Sequence, residues 1–462
     1  HPSAYAAGSP RFQQSMGMSK RGDERSVIAG KLPERAIDQI TRPLARFLRI
    51  ESAGGIVLLA CAIAALIIAN SPAAEAFQQF WHTPISLTVG HFTLGGELGH
   101  FFVNDVLMTV FFFVVGLEIK RELAAGELRD PRKAALPVVA ALGGMLLPAG
   151  IYFALMHGQP GERGWGIPMA TDIAFVVGVM AILGPRVPLG LKIMLLTLAI
   201  ADDIGAVVVI AGFYNSGLDG MMLLMAGYGL AAIFLLRWIG ARSIFLYFFI
   251  GVYVWLGFYK SGVHPTVAGV ILGLMTPSGT WVSRAALRLA LVDLSAELSE
   301  KGSDEVGADD LRLLAFAANE AVSPLDRLET LLHPWVGFVI MPLFALANAG
   351  VAVDAQAFHE PISFSVALGL FLGKPAGVLL FAWLAVRIGL ARLPLGVTWS
   401  MMAGAGSLAG IGFTMSLFVA GLALDHEHLS AGKVGTLAGS LLSAVVGMGL
   451  LAWATKSPNG NP

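Results

Sequence analysis

Apolar runs long enough to cross a lipid bilayer follow one another along most of this chain. A helix of roughly 20 apolar residues spans the hydrocarbon core, and a backbone surrounded by lipid must satisfy its hydrogen bonds internally. We therefore predict an all-α integral membrane protein of about twelve transmembrane helices, of which the eighth is short. The segments lie at residues 48–71, 98–118, 134–156, 166–184, 189–213, 220–238, 243–259, 263–276, 331–350, 363–387, 398–421 and 433–454.

The composition agrees with a membrane protein and excludes several other classes. Charged residues make up only 13% of the chain, against roughly 25% in soluble domains. No basic cluster is interleaved with aromatic residues, so nucleic-acid binding is excluded. A single cysteine, Cys61, excludes an internal disulfide and a cysteine-based metal site. The alternation of apolar and polar residues that marks a membrane β-barrel is absent.

Polar segments divide the chain. Residues 1–45 lack the apolar core of a signal peptide, and we expect a disordered or partly vector-derived N-terminal arm. Residues 46–455 form one transmembrane domain that is interrupted by a polar connector at 277–328, and a short tail follows at 456–462.

Lysine and arginine alternate between the loops on the two sides of the predicted bundle. Cytoplasmic loops of membrane proteins are enriched in these residues, so the pattern puts both termini and the connector in the cytoplasm. The loops on the other side are poor in basic residues, with Arg163 and Lys260 as the exceptions. The basic loops and flanks contain Arg42, Arg46, Arg49, Lys120, Arg121, Arg129, Arg132, Lys133, Arg186, Lys192, Arg237, Arg242, Arg387 and Arg392.

Few ionisable residues lie deep in the apolar segments. Asp105, Asp172, Asp202 and Asp203 face one lysine, Lys374. Each buried charge costs about 2.5–3.5 kcal/mol at the centre of a membrane helix, and such residues typically mark ion pathways. The excess of carboxylates must be neutralised by protons, by a bound cation or by both. This imbalance predicts a site that exchanges protons for a cation.

The adjacent pair Asp202 and Asp203 is the strongest candidate for that site. Neighbouring helix positions point about 100° apart, so one carboxylate can take Lys374 while the other binds a cation, and their titrations are coupled. Two other acids have plainer interpretations. Asp105 lies near a span end and could be solvated, and Asp172 could form a purely structural bridge to Lys374.

Two stretches carry the marks of interrupted helices. "GIPMATDIAF" has Pro168 ahead of Thr171 and Asp172, and "GSLAGIGFTMS" has two glycines ahead of Thr414. Interrupted helices at membrane depth expose backbone groups and dipole ends that suit ion sites. For the second stretch, close glycine packing of intact helices is the alternative.

Seven segments in order resemble the NhaA-type Na+/H+ antiporters: "GLEIKREL", "TDIAF", "LAIADDIGA", "SGVHPTVAGV", "RLETLLHPWVGFVIMPLFALANAG", "FLGKPAG" and "GIGFTMS". The resemblance extends from about residue 45 to 455. It implies an inverted-repeat secondary transporter with discontinuous helices 4 and 11, of which this family is an example. It also implies pH-regulated, electrogenic exchange of Na+ or Li+ for H+ in the bacterial inner membrane, by a homodimer without a cofactor. The region "GHFTLGGELGH" is the expected dimer contact.

The resemblance assigns roles to individual residues. Asp203 would be the main cation ligand, and Asp202 would alternate between a proton, the cation and Lys374. Asp172 and Lys374 would balance the dipole ends where the broken helices meet, and Thr171 would lend an oxygen. Asp105 matches an accessory acidic position. The positions associated with pH sensing are Glu118, Arg121, Glu122, His264 and Glu329.

Three alternatives accompany these assignments. His264 titrates in the range of a pH sensor, but it could instead be a span-start histidine bonded to backbone. A Na+-coupled symporter of organic anions would need further cationic residues beside Lys374. An intramembrane aspartyl protease would need its aspartates on separate helices facing each other, whereas here they are adjacent.

Overall fold

The computed structural model describes residues 51–456, apart from 91, 216, 241–242, 281, 284, 290, 293–307, 353–356 and 358. The predicted N-terminal arm at 1–45 and the arginines at 42, 46 and 49 therefore lie outside the described residues. The same holds for residues 293–307, in the acidic part of the connector, and for the tail beyond residue 456.

Helices dominate the described part of the chain. A 3₁₀ segment, Glu162–Met169, precedes α5. The helices are α1 (Glu51–Ala69), α2 (Ala74–Trp81), α3 (Leu98–Ala125), α4 (Pro131–Met156), α5 (Ile173–Leu183), α6 (Leu189–Phe213), α7 (Gly220–Ile239), α8 (Ile244–Ser261), α9 (Thr266–Met275), α10 (Ala308–Glu320), α11 (Pro324–Asn348), α12 (Pro361–Arg387), α13 (Trp399–Ala409), α14 (Phe413–Ala423) and α15 (His426–Ala454).

Within the described residues, fewer helices are long enough to cross a membrane than the twelve spans predicted. Within the described residues, nine helices are long and apolar enough to cross a membrane, with the 3₁₀ segment and α5 taken together. The count rises to eleven if two bent pairs, α1 with α2 and α13 with α14, are each one span. The segment predicted at 263–276 is the ten-residue helix α9. The prediction of a mostly helical membrane protein is thus confirmed.

A β-hairpin is the exception to the all-α prediction. Strands β1 (Pro84–Val89) and β2 (Phe92–Glu97) pair antiparallel between the first two predicted spans, where no strand is predicted. The register pairs Val89 with Phe92, which leaves a two-residue turn. Gly90 opens that turn with φ of +63°, a conformation that glycine adopts without steric cost. The hairpin precedes α3.

The connector ends earlier than predicted because α11 begins inside it. Ser323 Oγ accepts the N–H of Asp326 at 3.1 Å, and Pro324 occupies the first turn. A serine cap followed by proline is a typical helix start. The connector is therefore partly helical in its described residues, with α10 followed closely by α11.

Glycines set the distance between α4 and α12. A Cβ added at Gly377 would lie 2.1 Å from the carbonyl oxygen of Gly143, and one at Gly143 would lie 2.3 Å from that of Gly377. The next residue, Gly144, faces Lys374, whose Cε would lie 3.6 Å from an added Cβ. Close backbone approach through small residues is how membrane helices pack tightly. This crossing therefore sets the position of Lys374.

Replacing Gly377 by alanine is expected to destabilise the protein by about 1–3 kcal/mol, because the new methyl group forces the two backbones apart. Transport should fall with it, since Lys374 moves. Gly150→Ala, on α4 with open space at its Cβ, is the matched control and should leave stability unchanged or slightly raised. Thermal unfolding of the purified variants checks this. Equal unfolding temperatures would contradict the role of the glycine crossing.

Candidate functional site

Two helix interruptions meet inside the bundle. Ala170 and Asp172 have extended backbone between the 3₁₀ segment and α5. Residues 410–412 separate α13 from α14, which are bent by 45° relative to each other. The N–H of Asp172 donates to the carbonyl of Ile411 at 2.7 Å. The two sequence stretches predicted to be broken thus lie in direct contact.

Asp172 accepts hydrogen bonds from the N-termini of two helices. Its Oδ1 accepts the N–H of Phe175 in the first turn of α5 at 3.3 Å. Its Oδ2 accepts the N–H of Thr414 at 3.0 Å and also the Thr414 hydroxyl, at the start of α14. A carboxylate at a helix N-terminus stabilises the partial positive charge there. Asp172 is buried, and these contacts take the place of the structural bridge to Lys374 that the sequence left open.

Lys374 pairs with Asp202. Its ammonium group lies 2.8 Å from Asp202 Oδ2, and both side chains are fully buried. The same ammonium donates to the carbonyl of Met169, the last residue of the 3₁₀ segment. A cation at the carbonyl end of a helical segment is electrostatically favourable. Lys374 and Asp172 therefore lie at opposite dipole ends of the interrupted span.

Asp202 also contacts Thr171 through the same oxygen. The Thr171 hydroxyl lies 2.7 Å from Asp202 Oδ2 and 2.9 Å from the carbonyl oxygen of Ala409. A hydroxyl has a single hydrogen, so it donates to one of these two acceptors at a time. Thr171 can therefore change partner when the occupancy of the Asp202 carboxylate changes.

The remaining oxygens of the pair are the reactive feature of the site. Asp202 and Asp203 are both buried, and within the described structure Oδ1 of each has no hydrogen-bond partner. Leaving a buried polar atom unpaired costs about 1–3 kcal/mol or more. The negative charges of Asp202, Glu118 and Asp172 disfavour a further negative charge on Asp203, whereas the positive charge of Lys374 favours it. The site has the excess of negative charge that attracts protons or a cation.

Two of the residues assigned to pH sensing pair with each other. Arg121, near the end of α3, donates to the carboxylate of Glu329 on α11. Glu118, one turn earlier, has Oε1 3.8 Å from Nδ1 of His333. Glu122 points elsewhere, because its carboxylate accepts the N–H of Glu127 in the turn after α3.

His264 belongs to a different cluster from Arg121 and Glu329. Its Nε2 lies 3.5 Å from Oδ1 of Asp105, whose Oδ2 lies 3.6 Å from Nδ1 of His100. Asp105 is only 4% exposed, so the solvated interpretation is wrong. The Thr266 hydroxyl and N–H lie 2.7 and 3.4 Å from Nδ1 of His264. A backbone contact therefore coexists with the contact to Asp105.

Sequence reasoning missed three residues around these clusters. They are His100 beside Asp105, His333 beside Glu118, and Ser440, whose Oγ accepts the N–H groups of Gly412 and Phe413. Both histidines stand near the start of a predicted span, where a polar residue is not conspicuous. Ser440 stands in an apolar run of α15, and serine side chains in membrane helices can bond freed backbone groups.

A sequence profile described as Na+/H+ antiporter 1 matches residues 45–451. The chain belongs to this antiporter family. One relative, the Na+/H+ antiporter NhaA of Rhodopirellula baltica, is 48% identical over 92% of this chain and 97% of its own length. The Na+/H+ antiporter NhaA of Rhizobium meliloti is 47% identical over 93% of this chain and 98% of its own length. Na+/H+ antiporter NhaA 3 of Acidiphilium cryptum is 47% identical over 94% of this chain.

Membership of the antiporter family confirms the resemblance carried by the seven sequence segments. Antiporters of this family are transporters and not enzymes, so the aspartyl protease alternative is wrong. The matched region contains every candidate site residue named above. The protein is a multi-pass membrane protein.

Proposed function

We propose that this protein exports cytoplasmic Na+ or Li+ in exchange for external protons, with Asp202 and Asp203 as the shared binding site. One observation carries the proposal. Two adjacent buried carboxylates on α6 each keep an oxygen without a hydrogen-bond partner in the described structure, beside the contact of two helix interruptions. Carboxylate oxygens are ligands for hard cations such as Na+ and are equally sites for protons.

The two carboxylates have different roles in this scheme. Asp203 is the main cation ligand, because its oxygens are not engaged by Lys374 or Thr171. Asp202 exchanges partners, since binding a proton or the cation releases the oxygen now shared by Lys374 and Thr171. When the site faces outward, Na+ leaves and protons bind. The bundle then rocks, and cytoplasmic Na+ displaces the protons.

The two carboxylates also determine the net charge moved in each cycle and the dependence of transport on pH. Two carboxylates can carry more than one proton for each cation, so the exchange is electrogenic. At low pH protons occupy the site and transport stops. No resident cofactor takes part in this cycle.

The finer architecture follows the same proposal. Each of the twelve predicted spans contains a helix in the described structure, which supports twelve spans. In this proposal the fourth and eleventh spans, predicted at 166–184 and 398–421, are the discontinuous helices of two inverted repeats. The alternating basic loops support cytoplasmic termini in the bacterial inner membrane. The region "GHFTLGGELGH" contains β2 and the start of α3, and it is the proposed contact of a homodimer.

Reversing either charge of the Arg121–Glu329 pair tests its part in pH regulation. Arg121→Glu and Glu329→Arg each place like charges together, so transport at neutral pH should fall several-fold. The double reversal restores opposite charges and should recover at least half of the lost activity. Rates across a pH series in vesicles measure this. The exposed pair Lys133–Glu127 is the control, because reversing an exposed pair changes little. Double-reversal activity no higher than in the single variants would contradict the pairing.

The proposed function is tested by proton movement in proteoliposomes. Vesicles acidified inside should become alkaline inside when Na+ or Li+ is added outside, and K+ should not replace either ion. A symporter would require an organic anion for the same signal. Vesicles that do not respond to Na+ over pH 6–9 would overturn the proposal.

A further inference from the structure

Ser440 lies in the middle of α15 and reaches the second helix interruption. Its side chain is buried, and its Oγ accepts the N–H of Gly412 at 3.2 Å and that of Phe413 at 3.1 Å. These N–H groups are among those that the start of α14 leaves without a partner inside the helix. One serine hydroxyl thus satisfies two of them with its two lone pairs.

The N–H groups at the start of α14 are divided between two acceptors of different charge. Gly412 and Phe413 donate to the neutral hydroxyl of Ser440, and Thr414 donates to the carboxylate of Asp172. The backbone here has little freedom, since a Cβ added at Gly412 would lie 3.0 Å from the carbonyl oxygen of Ala170 in the other interruption. A shift in the start of α14 would therefore reach Thr171 and Asp172.

The first half of the protein has a corresponding contact. Asp202 on α6 reaches back to Thr171 in the first interruption, 31 residues earlier. Ser440 on α15 reaches back to Gly412 in the second, 28 residues earlier. In both halves the long helix after the interruption sends one polar side chain into it. The first half uses an ionisable carboxylate and the second a hydroxyl that stays neutral.

We propose that Ser440 is a positioning residue for the cation site, holding the start of α14 so that its N–H groups do not oppose a cation at Asp202 and Asp203. A helix N-terminus carries roughly half a positive charge on its free N–H groups. With Ser440 in place, the N–H groups of Gly412 and Phe413 donate to its Oγ on α15. Without it, two buried N–H groups lose their partner and would compete for the carboxylates of the site. This inference rests on the proposed function, because it concerns the same carboxylates.

The test compares three variants on α15. Ser440→Ala removes the acceptor with little change in volume, and Ser440→Thr keeps a hydroxyl. Thr436→Val is the control, since the Thr436 hydroxyl is also buried but, in the described structure, donates to Gly432 of its own helix. Each protein is reconstituted into vesicles, and the KM for Na+ and the maximal rate are measured. Amide hydrogen exchange over residues 410–414 is measured on the same samples.

Ser440→Ala is expected to raise the KM for Na+ by about 3- to 10-fold, the equivalent of losing one hydrogen bond. The maximal rate should stay within about twofold. Exchange at residues 410–414 should be several times faster than in the unmodified protein. Ser440→Thr should restore both values, and Thr436→Val should change neither. A residue that merely supported folding would lower the maximal rate and the amount of protein without selectively changing KM.

Three results would overturn the inference: an unchanged KM in Ser440→Ala, an equal increase in Thr436→Val, or an equal increase in Ser440→Thr. Unchanged hydrogen exchange at residues 410–414 would overturn it even if a variant proved too unstable for transport assays. Failure of the proposed function gives a different pattern. In that case the unmodified protein itself shows no Na+-driven proton movement.

Discussion

Replacing Asp203 by asparagine is expected to abolish Na+-dependent proton movement, with activity falling at least 100-fold. The amide has nearly the shape of the carboxylate, so the fold should persist. It has neither the negative charge that binds a cation nor a proton to exchange. Because Asp203 Oδ1 has no partner within the described structure, no hydrogen bond at that oxygen is lost. The measurement is alkalinisation of vesicles on Na+ addition, at matched amounts of protein.

Asp219→Asn is the matched control for this variant. Asp219 caps α7 by accepting the N–H groups of Met221 and Met222, and asparagine caps a helix about as well as aspartate. Its transport should remain close to that of the unmodified protein. Transport by Asp203→Asn within a few-fold of that control would refute the assignment of Asp203 as the main ligand.

Replacing Lys374 by methionine is expected to have the second largest effect. The variant leaves Asp202 buried with its counter-charge removed, and breaking a buried pair from one side typically costs about 3–5 kcal/mol. The carbonyl of Met169 loses its donor as well. Thermal unfolding in detergent should therefore show a clear fall in stability, together with loss of transport.

The double variant Asp202→Asn with Lys374→Met separates stability from transport. Removing both charges eliminates the uncompensated buried carboxylate, so most of the lost stability should return. Transport should stay absent, because one of the two exchange sites is gone. Stability changes that simply add in the double variant would show that Lys374 and Asp202 do not act as a pair.

Much of the candidate site could be predicted from sequence because charge in an apolar segment is conspicuous. Asp202, Asp203, Asp172 and Lys374 stand out for that reason, and the structure brings all four to the two interruptions. The partner of Lys374 could not be chosen from sequence alone. Charge alone allows Asp172 or one of the adjacent pair, and in the structure the ammonium group lies 2.8 Å from Asp202 Oδ2 and donates to the carbonyl of Met169.

Other features have weaker signals in the sequence. Ser440 is one of several small polar residues in membrane helices, and its role depends on a backbone interruption 27 and 28 residues away. The hairpin at Pro84–Glu97 has a weak signal, because the turn at Gly90 stands beside strong helical runs. The start of α11 at Pro324 could have been read from its serine cap and proline, which lie in a segment dominated by charges.

In the proposed scheme the interruptions explain why the exchange site needs so few charges. Asp172 and Lys374 neutralise opposite dipole ends, so Asp203 and one oxygen of Asp202 would remain for the transported ions. The hydroxyl of Thr171 lies between Asp202 and Ala409, the last residue of α13. A change in the occupancy of Asp202 can therefore alter the contact between the first interruption and the end of α13.

The central claim is that Na+ and protons compete for Asp202 and Asp203, and proton release on Na+ binding tests it most directly. Purified protein in weakly buffered detergent solution is titrated with NaCl, and choline chloride is the control for ionic strength. We expect a saturable release of protons with Na+ but not with choline, and no release from Asp203→Asn. Saturable Na+ binding without proton release, or equal release from Asp203→Asn, would contradict the claim.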